Sequence, residues 1–235
     1  MMTGYLRSLP RIVQISLFLI VAFASIQRVS FADNPDETQA IKEIKRRGGR
    51  VKGDDNLPSR PVMAVYFPAD TRFGSQDVQL LKPLKNLRIL LLRGKVADAD
   101  LKGIRELKHL KDLNLSQCQI TDAAMKEVSD LEELTILGLY GTRITDAGLK
   151  EAAKIKSLTS IELSGTKITD AGLGELRRLN NLTNLSLMST QITDNGVPAL
   201  KDLKHLETLY LNQTKITDGA LSDLKRALPN VEITP

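Results

Sequence analysis

Residues 131–149 read LEELTILGLYGTRITDAGL, and the stretch at 155–173 reads IKSLTSIELSGTKITDAGL. The two align without a gap, 24 residues apart. The same string recurs at 107–125 (LKHLKDLNLSQCQITDAAM), 179–197 (LNNLTNLSLMSTQITDNGV) and 203–221 (LKHLETLYLNQTKITDGAL). A copy one residue shorter begins at Leu84, and a degenerate one runs through Val62, Val65, Phe67, Phe73 and Val78. Leu228, Val231 and Ile233 repeat only the opening pattern. Self-similarity at a fixed period of this length is the signature of a solenoid, in which no single unit can bury its own apolar set.

Within one unit the residue order sets the local shape. Leu137 and Leu139 alternate with Gly138 and Tyr140, a period of two that predicts a strand with one buried face. Thr145 offers an N-cap, Asp146 suits the positive first turn, and Leu149, Ala152 and Ala153 follow at helical spacing. Each unit is therefore strand, turn, short helix and return. Stacked units place their strands in parallel about 4.8 Å apart. The expected architecture is α/β, with a parallel sheet on a concave face and short helices on a convex one.

The pattern Leu-x-x-Leu-x-Leu-x-x-(Asn/Cys/Thr)-x-Ile, carried from about Val62 to Ile233, resembles the leucine-rich-repeat family. The ITDAGL variant is similar to repeats of secreted bacterial proteins and to those that follow F-box domains, and no F-box-like segment precedes it. The period reads as longer than internalin-type repeats and shorter than ribonuclease-inhibitor-type ones. The resemblance implies a non-enzymatic, protein-binding scaffold.

Residues 1–32 read as a secretory signal: Arg7 and Arg11, a mostly apolar run from Ile12 to Ile26, then Ser30-Phe31-Ala32 before Asp33. An uncleaved anchor is the alternative, although the apolar run is short for a span of about 20 residues. Residues 33–60 lie outside the repeat. Asn34, Pro35, Asp36 and Glu37 open a helix, Ala40, Ile41 and Ile44 form its apolar stripe, and Gly48-Gly49 end it. This segment reads as a capping helix and linker before a solenoid at 61–235.

Composition narrows the function. The formal charge of +5 falls to +2 once residues 1–32 are removed, so the basic balance does not point to nucleic acid. Aromatic residues are 4% of the chain and Trp is absent, so the core must be aliphatic. A single cysteine, Cys118, excludes an internal disulfide and fits a bacterial envelope or extracellular location better than a disulfide-closed animal protein. The Asn-x-Ser/Thr sites at Asn114, Asn181, Asn184 and Asn212 read as by-products of the repeat.

No residue set points to catalysis, a metal or a cofactor. Cys118, Thr142, Thr166, Thr190 and Thr214 share one repeat position, where a buried polar side chain can satisfy backbone groups of a tight turn. His109 and His205 share a return-loop slot four repeats apart, too far for one metal. Asp122, Asp146, Asp170, Asp194 and Asp218 form a column that a Ca²⁺ ion would need more oxygens to use, so each reads as a helix-start residue.

Alternation places the residues between the buried leucines on the concave surface. The anchors expected there are Tyr66, Ile89, Leu91, Arg93, Ile136 and Tyr140, with Met188 and Tyr210 as a weaker contact. The expected partner is a protein or an envelope polymer, with no nucleic acid and no membrane span after signal cleavage. The alternative is a structural envelope protein that packs against copies of itself.

Overall fold

A computed structural model describes residues 35–53 and 61–235. The signal and its cleavage after Ala32 lie outside the described residues. Among those described, nine strands form one sheet in strict chain order. They are β1 (Arg50–Gly53), β2 (Val62–Phe67), β3 (Ile89–Leu92), β4 (Asp112–Asn114), β5 (Ile136–Gly138), β6 (Ser160–Glu162), β7 (Asn184–Ser186), β8 (Thr208–Tyr210) and β9 (Glu232–Thr234). From β2 onward every pair is parallel, and the register steps by one repeat: Leu113 pairs with Leu137, Leu137 with Ile161, Ile161 with Leu185.

The returns lie on the other side of the core. They comprise α2 (Ser75–Leu81), α3 (Asp122–Val128), α4 (Asp146–Ala152), α5 (Val197–Lys201) and α6 (Asp218–Ala227), with 3-10 turns at Asp98–Leu101, Ile104–Glu106, Leu173–Arg178 and Asp194–Gly196. Short or tight helices suffice because one turn places Leu149 or Leu173 over the strand leucines. The core is one continuous aliphatic column, in which Leu113, Leu137, Ile161, Leu185 and Leu209 are fully buried. No helix among the described residues is long and apolar enough to cross a membrane.

Ahead of the repeats, α1 (Pro35–Arg46) buries Ala40, Ile41 and Ile44 against α2 and β1. Gly48, at φ +84, ends it: the Gly49 N–H reaches the Ile44 carbonyl and the Gly48 N–H reaches that of Lys45. A Cβ on Gly48 would lie 2.5 Å from Thr71. Part of the segment expected to be linker is instead strand β1, antiparallel to β2, with Arg50 opposite Tyr66 and Val51 buried. Its single apolar residue among Arg50, Lys52 and Gly53 leaves no periodic signal, and pairing with β2 creates the strand. Arg47 ties α1 down by reaching the fully buried Asp77 of α2 at 3.2 Å.

Two further features join the repeats. Residues 117, 141, 165, 189 and 213 follow the strands, and all have φ between 54 and 65. This left-handed turn aims the backbone N–H of residues 117, 141, 165 and 189 at a carbonyl of the next repeat, as from Gly141 to Ser164. The second feature adds a role to the helix-start aspartates, which do stand in first turns, as Asp122, Asp146, Asp194 and Asp218 show. Four carboxylates of the column, and that of Asp98 one repeat earlier, reach across to the threonine of the next repeat: Asp98 to Thr121, Asp122 to Thr145, Asp146 to Thr169, Asp170 to Thr193 and Asp194 to Thr217. Asp146 Oδ1 accepts the Thr169 N–H at 2.9 Å, and Oδ2 accepts its hydroxyl at 2.6 Å. The same threonine oxygen accepts the Ala171 N–H. Capping and stacking thus share one side-chain pair.

Candidate functional site

The inner face of the sheet is a grid of side chains, one row per strand position. Pairing puts Ile89, Asp112, Ile136, Ser160, Asn184 and Thr208 in one row. Leu91, Asn114, Gly138, Glu162, Ser186 and Tyr210 form the next. Arg93, Ser116, Tyr140, Ser164, Met188 and Asn212 follow beyond the strand ends, two residues on in each repeat.

The eight expected anchors divide sharply in exposure. Tyr140 is 42% exposed and is the large hydrophobic side chain most open to solvent among the described residues. Its ring leans over the next repeat, with Cε2 3.6 Å from where a Cβ on Gly165 would stand. Ile89, Arg93, Ile136, Met188 and Tyr210 are half-buried. Leu91 and Tyr66, expected as exposed anchors, are only 2% and 7% exposed. They pack with Ala64 and Ile89 into a small apolar cluster separate from the main core. The Arg50 guanidinium, carried in by β1, lies 6.0 Å from the centre of the Tyr66 ring. Alternation correctly gives the side of the sheet, but close parallel strands on a curved face shield their neighbours.

The same crowding buries the polar floor between these residues. Asn114, Ser116, Ser160, Glu162, Ser164 and Ser186 are all buried. Asn114 Oδ1 accepts the Ser116 N–H at 2.9 Å, and Glu162 Oε1 accepts the Ser164 N–H at 2.7 Å. These contacts turn both side chains back onto their own strand ends. The Ser164 and Ser186 hydroxyls share a hydrogen bond at 2.6 Å. Two carboxylate oxygens, Asp112 Oδ1 and Glu162 Oε2, have no hydrogen-bond partner. Burial pushes the Asp112 carboxyl up to about 7. Burial also raises that of Glu162, against a downward pull from Ser164 and Ser186. Sequence reading placed both acids on this face without marking them, because neither belongs to a motif.

The shared turn position behaves differently. Thr142, Thr166, Thr190 and Thr214 each donate to the carbonyl three residues back, as Thr166 does to Leu163 at 2.5 Å. They close the turn within their own repeat. Cys118 Sγ instead contacts the Leu92 carbonyl of the preceding repeat at 3.5 Å. Burial pushes this thiol up to about 12, which leaves it unreactive as a nucleophile. His109 sits on the exposed return edge, 3.0 Å from Glu133, away from the inner face. Among the described residues no group of three or more His, Cys, Asp or Glu side chains is placed to hold a metal ion.

Comparison with known proteins agrees with this geometry. Residues 106–129, 154–176 and 178–201 match the family model described as a leucine-rich repeat. No curated protein matches the chain in sequence. Among solved structures, an internalin from Listeria monocytogenes is 24% identical with a TM-score of 0.50, over 66% of this chain and 52% of that one. This chain therefore spans about half of that internalin's length. Internalin C2 from the same organism is 22% identical with a TM-score of 0.59, over 85% of this chain and 82% of that one. These likenesses show the shared solenoid fold, which the longer repeat read from the sequence does not disturb. Three matched repeats, the same unit recurring between and beyond them, and that fold show a leucine-rich-repeat solenoid in this chain.

Proposed function

We propose that the protein is an exported, non-enzymatic scaffold that binds a protein or an envelope polymer on its inner face. The observation that carries this reading is Tyr140. An open aromatic ring stands among half-buried Ile136 and Met188, above a floor of buried polar groups. Aromatic and aliphatic side chains over satisfiable polar groups are the composition of a binding hot spot. The buried, unreactive Cys118 supports a role without covalent chemistry. Export rests on the charged, apolar, small-residue order of residues 1–32.

Of the eight anchors, Tyr140, Ile136, Arg93, Met188 and Tyr210 form the contact. Tyr66, Ile89 and Leu91 support the face from beneath. The test places a photo-crosslinking amino acid at position 140 or, on the convex side, at position 150, in the native envelope. Adducts from position 140 alone are expected. Adducts from position 150 alone would overturn the reading. With the captured partner, Tyr140→Ala should weaken binding by about 1–2 kcal/mol and Lys150→Ala should not. Self-association has one observation in its favour: among the described residues β9 pairs on one side only, and its Ile233 and the adjoining Val231 are half-buried. Sizing at several concentrations separates the two, since only self-association makes the apparent mass rise with concentration.

A further inference from the structure

Glu162 is the most deeply buried charged side chain on the inner face, at 1% exposure. Its four nearest positions on the grid are Gly138 and Ser186 on the flanking strands, and Ser160 and Ser164 on its own. All four are small, which makes a depression in side-chain size whose floor, the carboxylate, is closed to solvent in the free protein. The corners of the depression are larger. Tyr140 and Met188 flank Ser164 on one side, and Ile136 and Asn184 flank Ser160 on the other. One oxygen, Oε1, is committed to the Ser164 N–H. The other, Oε2, is buried and has no hydrogen-bond partner. An unpartnered buried carboxylate oxygen is costly, and that cost disappears when a cation meets it.

The described residues place no such cation beside it. Of the inner-face positions from β2 to β8, only Arg93 is basic. It belongs to the β3 repeat, three strands from β6, about 14 Å at the usual strand spacing. Asp112 adds a second buried acid with an unpartnered oxygen, two strands from β6. The two buried acids of the inner floor therefore have no basic side chain beside them among the described residues. The rim of the depression is built for the rest of a basic side chain: Ile136 and Met188 offer apolar contact to an aliphatic stem, and the Tyr140 ring faces a cation favourably.

We propose that this depression takes one lysine or arginine side chain of the protein partner, with the cation against Glu162 Oε2 and the stem against the rim. The proposal rests on the inner-face reading above and names the chemistry of its central contact. The serine hydroxyls accept the remaining donors of the ammonium or guanidinium group. Arginine has more donors to place than lysine, so the two differ in fit and the experiment compares them.

The probes are acetyl-Gly-Lys-Gly-amide and its arginine and norleucine counterparts, titrated into ¹⁵N-labelled protein at constant ionic strength. Norleucine keeps the stem and removes the charge. Saturable shifts of the Gly138, Glu162, Ser164 and Ser186 amides are expected with lysine or arginine, and not with norleucine. Glu162→Gln, nearly isosteric, should weaken binding at least fivefold while the spectrum stays folded. Tyr140→Ala, at an exposed rim position that folding does not need, should weaken it about threefold. Glu207→Gln, an exposed acid on the return of a later repeat, should have no effect. Equal shifts with norleucine, shifts confined to exposed acids, or affinity unchanged in both Glu162→Gln and Tyr140→Ala would overturn the proposal. Such a failure leaves the inner-face reading intact, because that reading is decided by crosslinking from positions 140 and 150.

Discussion

Replacing Asp146 by alanine removes both hydrogen bonds that couple one repeat to the next at Thr169. A hydrogen bond to a charged group contributes about 1.5–3 kcal/mol, and Asp146 and Thr169 are half-buried, so each belongs near the lower end. Water can partly replace the carboxylate, which leaves a net loss of about 2–3 kcal/mol. The loss falls in the middle of a nearest-neighbour array, where it weakens one junction without touching the core. Urea denaturation followed by circular dichroism reads the total, and hydrogen exchange at the Thr169 amide reads the junction itself. Asp146→Asn should fall between, since its carbonyl still accepts the Thr169 N–H while its amide faces the hydroxyl as a donor. Lys150→Ala, exposed on the same helix, is the control. If Asp146→Ala and Lys150→Ala unfold at the same urea concentration, or Thr169 exchange is unchanged, the aspartate is only a helix-start charge.

Three other outcomes are expected. Asp112 is ionised against its burial above about pH 7, while in the unfolded chain it ionises near pH 4. Its stability penalty therefore appears as pH rises from about 4 to 7. Asp112→Asn should be more stable than the parent by about 2–4 kcal/mol at pH 8 and equal to it at pH 4, as read from paired urea midpoints. Thr166→Val keeps the side-chain volume but removes the hydroxyl bond to Leu163. It should cost about 1–2 kcal/mol while Lys167→Ala costs little; equal midpoints would remove any role for the turn hydroxyls. Gln117 and Ser189 hold the left-handed conformation that Gly141 and Gly165 hold in their repeats. Ser189→Gly should raise the midpoint by up to about 1 kcal/mol, and a fall would mean that its side-chain bond to Gln213 outweighs the backbone strain.

The solenoid was legible because its signal is repeated. The strand leucines, the capping threonines and the helix-start aspartates recur in register, and each can be interpreted inside one unit. The aspartate–threonine clamp was not legible for the same reason: ITD makes sense as a local cap, and only stacking shows that the carboxylate serves the next repeat. One trace of it stands in the sequence. Glycine is a poor helix former, yet Gly148, Gly172 and Gly196 stand at one repeat position in or beside the start of the return helices. A Cβ on Gly172 would lie 2.3 Å from Asp146 Oδ1, so glycine there makes room for the neighbour's carboxylate. On the inner face, alternation finds the side but not the depth. Leu91 and Glu162 were placed by the same rule as Tyr140, and their burial comes from curvature and from what stands on adjacent strands. Strand β1 was invisible because its pairing is supplied by β2.

The clamp runs in one direction, from each aspartate to the threonine 23 residues later. The four units that hold Thr121–Asp122, Thr145–Asp146, Thr169–Asp170 and Thr193–Asp194 thus each carry one plug and one socket of fixed shape. A block cut out or copied in frame with the repeat takes both with it, and the junctions on either side close as before. Such an event leaves the stacking chemistry unchanged while inserting or deleting one strand's worth of inner-face side chains. Variation in this lineage can therefore proceed by shuffling whole units: the length of the arc and the order of its recognition residues change together, with no new interface to invent. A deletion of half a unit would instead part a plug from its socket and put a returning helix where a strand belongs.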